Sequence, residues 1–208
     1  MSNPSNLLTD LEAAVAALRA GQIVALLDHP EREGEADLLL AAQFATGAGV
    51  NALINLGRGL VTVALPEARL AELGIPLLRP ANTGSNWPRF AEPVDYTIGT
   101  TTGVSAYDRA ATAVALTDPA ARPEHFARPG HLFPLAASPG GIAQRPGHTE
   151  GAVGLAMLAG LYPAVMMCEM MAADGHMARG AELARLITSH HLVAVTVQEV
   201  AAALASRE

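Results

Sequence analysis

Short apolar runs recur along the chain at residues 22–27, 38–42, 60–65, 95–98, 164–168 and 192–197, and segments of helical period separate most of them. Runs of this length, rich in Val, Leu, Ile and Ala, suit strands buried on both faces. The intervening segments carry their own start and stop signals. Thr9-Asp10-Leu11-Glu12 has the spacing of a capping box, with Leu11, Ala14, Val15 and Leu18 on one helical face and Gly21 as a stop. Pro66 opens a second helix that ends at Gly74, and Ser105 caps a third through Leu116. Further helices are expected from His148 or Thr149 to Leu161, over 179–190 and over 198–206. Strands alternating with helices imply a mixed sheet covered by helices. Two segments break the alternation: 75–92, with three prolines, and 118–147, with six prolines and four glycines, both read as long loops. Long ordered loops in compact domains are often functional.

The whole chain, 1–208, is expected to form one domain, and half of its residues are hydrophobic, enough to bury a sizeable core. No apolar run reaches the ~20 residues needed to cross a bilayer. Residues 1–10 are polar and lack the order of a secretion signal, so a cytoplasmic protein is expected. The net charge of −7 argues against nucleic acid as partner, because phosphate backbones call for a basic face. A single cysteine, Cys168, leaves no thiolate zinc site and no disulfide framework within one chain. Every basic residue is arginine. Without lysine, Schiff-base chemistry and a Walker-type phosphate loop are excluded. Carbanion chemistry on such a chain has to place its charge on a metal or on hydrogen-bond donors.

Four clusters can carry chemistry. Arg32-Glu33-Gly34-Glu35-Ala36-Asp37 packs three carboxylates and a guanidinium into six residues after a strand, the oxygen-rich donor set hard divalent cations take. A solvated surface loop has the same composition. Arg145-Pro146-Gly147-His148-Thr149-Glu150 leads a turn into a helix start, where free backbone N–H groups and the helix dipole attract phosphate. The ordinary alternative makes Thr149 an N-cap and His148 a capping or core histidine. Arg128-Pro129-Gly130-His131 is a second basic turn ending in histidine, and by itself is only a loop. Glu169, after the apolar run that ends at Cys168, is an unusual place for a carboxylate unless it serves acid–base work or pairs with an arginine.

Taken in order, these pieces resemble the 3,4-dihydroxy-2-butanone 4-phosphate synthase family from residue 10 to 204. The resemblance rests on Arg32-Glu33-x-Glu35-x-Asp37-Leu38, Thr101-Thr102-Gly103-Val104-Ser105-Ala106-x-Asp108-Arg109 and Arg128-Pro129-Gly130-His131-x-Phe133-Pro134-Leu135. It continues through Gly147-His148-Thr149-Glu150, Leu158-Ala159-Gly160-Leu161, Cys168-Glu169 and Asp174-Gly175-x-Met177-Ala178-Arg179. It implies a three-layer α-β-α sandwich of α+β class and a homodimer. It also implies a magnesium- or manganese-dependent lyase that makes 3,4-dihydroxy-2-butanone 4-phosphate and formate from ribulose 5-phosphate for riboflavin biosynthesis. By motif position, Glu33 and His148 would hold the metal, and Arg32 and Asp37 would contact substrate. Arg145, Pro146, Gly147, His148 and Thr149 would bind the phosphate end, and His131 and Glu169 would be essential for catalysis.

The chain departs from the family pattern at His29-Pro30-Glu31, Gly34, Ala36, the strand near 62–64, the segment from Asn86 to Ala91, and Ala172-Ala173. The inferred metal and phosphate groups are retained; parts of the acidic loop and a loop expected to face the sugar are not. Three readings stay open at this point. They are the family reaction, a paralogue with another phosphorylated sugar or product, and a catalytically silent sugar-phosphate binder.

Overall fold

The computed structural model describes residues 9–79 and 87–207. The polar start of the chain and the middle of the 75–92 loop, Asn86 included, lie outside the described residues.

The sheet has seven strands in the order β4-β5-β3-β6-β2-β1-β7: β1 (Val24–Leu27), β2 (Ala36–Ala41), β3 (Thr62–Pro66), β4 (Val94–Tyr96), β5 (Phe126–Ala137), β6 (Val165–Glu169) and β7 (Val193–Thr196). It is mixed, with β1–β7 and β3–β5 parallel and the other neighbours antiparallel. Helices cover both faces. On one side lie α1 (Leu11–Arg19), α6 (His148–Leu158) and α8 (Val197–Ala205); on the other are α2 (Gly47–Gly57), α4 (Ala106–Thr117) and α7 (Gly180–Ser189). Two short helices, α3 (Glu67–Glu72) and α5 (Gly141–Gln144), follow β3 and β5.

Double coverage explains why the strands read as unbroken apolar runs. Leu38 and Leu40 on β2 enter the core under α2 and α4, while Leu39 and Ala41 enter the core under α1 and α6. On β6, Met166 and Cys168 face the first core, and Val165 and Met167 the second. Leu38, Leu39 and Leu40 are at most 1% exposed, and burying one leucine side chain stabilises by about 2 kcal/mol.

The expected helices after Pro66, after Ser105 and from His148 are present, and the Ser105 hydroxyl accepts the N–H of Asp108 as foreseen. The first helix begins one residue later than its capping pattern suggests. Asp10 accepts the N–H of Ala13, while Thr9 donates its hydroxyl to Glu199 on α8 and bridges to Ala194 on β7. The edge of the sheet thus claims Thr9 for a tertiary contact.

Two elements correct the sequence reading. Helix α2 gave no clear signal because three of its residues are glycine; Thr46 caps it, and the aliphatic side chains of Val50 and Leu53 bury it. The larger correction is β5, a twelve-residue strand inside the proline-rich segment expected to be loop. Its two ends use different partners, β4 at Phe126–Ala127 and Leu132, then β3 from Phe133 to Ala137. Its prolines fall where the strand changes partner or loops out, so a local pattern does not register it as one strand.

Candidate metal and phosphate site

The sheet register brings the site together. Asp37 on β2 pairs across the antiparallel ladder with Glu169 on β6. Directly opposed residues point to the same face, and Asp37 lies between Ala36 and Leu38, whose side chains turn toward α2 and α4. Asp37 and Glu169 therefore point the other way, toward the N-terminus of α6 and its His148. Thr62 and Met167 complete this sheet face.

A cleft of about 140 Å³ forms there, and Arg32, Glu33, Glu35, Asp37, Arg145, His148, Thr149 and Glu169 all line it. Three of the four clusters read from the sequence thus converge on one cavity. Pro88 and Phe90 also line it, so the segment that departs from the family pattern does face the site. A larger, mainly apolar groove of about 1030 Å³ between α6 and α8 gathers no histidine.

The acidic loop is held from inside and outside. Asp28, buried at the end of β1, accepts the Glu33 N–H at 3.2 Å and meets Arg32 Nε at 2.7 Å. Arg32 also reaches Glu33 Oε1 at 2.7 Å. From the start of α7, Arg179 donates Nε to the Glu33 carbonyl at 2.9 Å and pairs with the Glu35 carboxylate. Glu33 Oε2 then lies 3.5 Å from His148 Nδ1.

Asp28, Glu33 and His148 offer one ligand atom each, all within 4.8 Å of one another. Two buried atoms of these residues, Asp28 Oδ1 and His148 Nε2, have no hydrogen-bond partner among the described residues. A buried polar atom left unpaired costs about 1–3 kcal/mol, and a ligand that satisfies it recovers that cost. Two carboxylates and an imidazole fit a hard divalent ion such as magnesium or manganese. The electrostatics agree. Burial by itself opposes an imidazolium at His148, but the charges of Asp37, Glu33 and Asp28 outweigh it and hold the group up at about 9. Burial likewise pushes Asp37 up to about 6. The His148 hydrogen bond keeps Glu33 below the ordinary carboxylate range. The carboxylates of Asp37, Glu33 and Asp28 around His148 thus favour positive charge in the site.

The helix start is equally specific. Gly147, not Thr149, is the N-cap, it makes no side-chain cap hydrogen bond, and the first helical residues, His148 and Thr149, line the cleft. Thr149 is the second helical residue and is buried. A Cβ on Gly147 would stand 2.7 Å from Arg145 Nη1, so only glycine lets that guanidinium lie against the turn. Pro146 shapes the turn without lining the cleft. Arg145 is aimed by Glu150, a 2%-exposed carboxylate that accepts Arg145 Nη1 at 2.7 Å and the Ser138 N–H at 3.0 Å.

Among the described residues Glu169 has no arginine partner: its Oε2 accepts the Leu60 N–H at 2.7 Å, with Gly59 packed against it. His131 stands apart. It does not line the cleft, and its ring is bound to Asp95. Asp28, Glu150, Arg179 and Asp95 were not among the site residues expected from the sequence. Asp28 and Glu150 lay inside or beside the clusters already noted, and Arg179 inside a quoted motif; Asp95 carried no local signal.

The comparisons with known proteins agree with this arrangement. The family model described as 3,4-dihydroxy-2-butanone 4-phosphate synthase matches residues 12–203. The chain is 44% identical over 193 residues to the 3,4-dihydroxy-2-butanone 4-phosphate synthase of Agrobacterium fabrum, covering 93% of this chain and 91% of that one. It is 45% identical over 192 residues to riboflavin biosynthesis protein RibBA of Synechocystis, covering 91% of this chain but 34% of the relative. The chain thus spans about a third of that relative's length. A crystal structure of 3,4-dihydroxy-2-butanone 4-phosphate synthase in complex with two magnesium ions superposes with a TM-score of 0.88 at 33% identity, over 95% of this chain and 97% of the other. A fold, an ordered motif set and a sequence match that all run nearly end to end have one explanation: the chain belongs to the 3,4-dihydroxy-2-butanone 4-phosphate synthase family.

Proposed function

We propose that this protein is a magnesium- or manganese-dependent lyase of riboflavin biosynthesis, converting ribulose 5-phosphate into 3,4-dihydroxy-2-butanone 4-phosphate and formate. The observation that carries this reading is the meeting, in one small cleft, of an open helix N-terminus and a metal-type donor set with buried unpaired atoms. One end suits a phosphate and the other the ketone and hydroxyls of a sugar.

Glu33 and His148 would hold the metal, with Asp28 beside them. A divalent ion there supplies Lewis-acid polarisation of the substrate's carbonyl and hydroxyl oxygens. The N–H groups at the start of α6 and the Arg145 guanidinium bind the phosphate, with Pro146, Gly147 and Thr149 shaping that end. Arg32 and Asp37 contact the sugar. Glu169, fixed by the Leu60 N–H, is placed to take or return a proton on the sheet side of the cleft. His131 is the other essential acid–base group.

His131 does not line the cleft of its own chain, so its part in turnover requires a second copy, and we infer a homodimer. Substrate and product are small soluble phosphates, which supports a cytoplasmic location, and no helix among the described residues is long and apolar enough to cross a membrane. The acidic net charge supports the absence of a nucleic-acid partner.

The test is incubation with ribulose 5-phosphate and magnesium, with and without a chelator, while formate is followed by NMR. Chelator-sensitive formate release with the four-carbon phosphate is expected. Folded, metal-loaded protein that releases no formate would overturn the assignment.

A further inference from the structure

Residues 87–91, within the segment that departs from the family pattern, take the place of β4 beside the second half of β5. The Ala91 N–H donates to Pro134 O at 2.9 Å, the Ala136 N–H donates to Arg89 O at 2.9 Å, and Phe90 stands opposite Leu135. The Phe90 ring meets Phe133 edge to face, with centroids 6.5 Å apart. Successive side chains of an extended segment point in opposite directions. Pro88 and Phe90 line the cleft, and Arg89 between them does not.

The Arg89 guanidinium reaches over the end of β5 instead. Nη2 donates to Glu67 Oε2 on α3 at 2.8 Å, and Nη1 donates to the carbonyl oxygen of Ala137, the last residue of β5, at 3.2 Å. The peptide group that begins with this carbonyl ends in the Ser138 N–H, which donates to Glu150 Oε1 at 3.0 Å. Glu150 Oε2 in turn accepts Arg145 Nη1 at 2.7 Å. One run of hydrogen bonds therefore joins Arg89 to Arg145 through a single peptide group and a single buried carboxylate. A cation on a peptide carbonyl polarises that peptide and strengthens its N–H as a donor, and linked bonds reinforce one another away from water.

We propose that Arg89 is a positioning residue for the phosphate end of the cleft: it fixes the Ala137–Ser138 peptide, which fixes Glu150, which aims Arg145. The inference rests on the reading that Arg145 binds the phosphate. The same side chain holds down the segment that carries Pro88 and Phe90, so one residue keeps the apolar wall and the anion grip in register. An arginine that served stability alone would need only the pair with Glu67, whose two side chains are 31% and 41% exposed and whose pairing is therefore worth little.

Arg89→Met removes the charge and both donors and keeps most of the stem. The expected result is a rise of about fivefold in the KM for ribulose 5-phosphate and in the dissociation constant of inorganic phosphate, read by ³¹P NMR, the scale on which residues in one hydrogen-bond network couple. At saturating substrate kcat should change less than about twofold, because the lost binding is common to ground and transition states. Manganese affinity stays at the parent value. Arg89→Lys keeps the charge without the planar fork and should weaken phosphate binding by a similar factor. A double-mutant cycle separates the hydrogen-bonded route from the field of the charge: in the Glu150→Gln protein, Arg89→Met should alter phosphate affinity by less than about 1.5-fold. Parent-like phosphate affinity in Arg89→Met or in Arg89→Lys, or an undiminished effect of Arg89→Met in the Glu150→Gln protein, would overturn the proposal. If Arg89→Met or Glu150→Gln does not fold, Arg89→Lys decides: weakened phosphate binding upholds the role, and parent affinity overturns it. Arg145→Met tests the underlying reading. Phosphate affinity unchanged in that variant removes both readings, whereas weakened binding in Arg145→Met beside parent affinity in Arg89→Met removes only the role of Arg89.

Discussion

Divalent-metal affinity should rise steeply with pH, because the metal and a proton compete for His148. The cluster of Asp37, Glu33 and Asp28 holds this imidazole up at about 9. At pH 7 His148 is then predominantly protonated. A metal must displace the proton to use the ring, at a cost of roughly 3 kcal/mol, on the order of 100-fold in affinity. Between pH 7 and 9 the dissociation constant should therefore fall about tenfold per pH unit and level off above 9. Titration calorimetry with manganese at pH 7, 8 and 9, repeated in buffers of different ionisation enthalpy, measures both the affinity and the protons released; about one proton per metal is expected at pH 7. The sign for the metal-free protein is opposite. The folded value lies above the ordinary 6.5, so the stabilisation from charged His148 is complete below pH 6.5 and is lost as pH rises through 9. Affinity that is flat from pH 7 to 9 with no proton release would refute both the charge state of His148 and its place among the ligands.

Two substitutions test the supports of the site. Glu150→Ala removes the buried acceptor shared by Arg145 and the Ser138 N–H, and should destabilise the fold by about 2–4 kcal/mol while raising the KM for the phosphorylated substrate. A denaturant midpoint equivalent to less than about 1 kcal/mol of loss would show that the pair carries no weight. Gly59→Ala puts a Cβ 2.4 Å from Glu169 Oε2 and 2.8 Å from the Glu169 carbonyl oxygen. Overpacking of this kind costs about 1–3 kcal/mol, and because the clash falls on Glu169, kcat should drop together with Tm; a lower Tm with unchanged kcat would dissociate Glu169 from catalysis.

Local chemistry made much of this protein legible in its sequence. Apolar runs of five or six residues marked strands buried on both sides, and residues such as Ser105 and Pro66 marked helix starts, because periodicity and capping act over a few neighbouring residues. The ordered motifs identified the family and supplied Arg32, Glu33, Asp37, Arg145, His148, Thr149 and Glu169, all of which the fold brings to one cleft. Other features have no local expression. Strand β5 borrows its hydrogen bonds from two different strands, so its prolines disguised it as a loop. Thr9 had the spacing of a cap but is claimed by Glu199 across the fold. The register that sets Asp37 opposite Glu169, the unpaired atoms of Asp28 and His148, and the bond between His131 and Asp95 depend on contacts between residues remote in the chain. Those contacts are decided by how two cores pack on the faces of one sheet, and only the tertiary structure shows them.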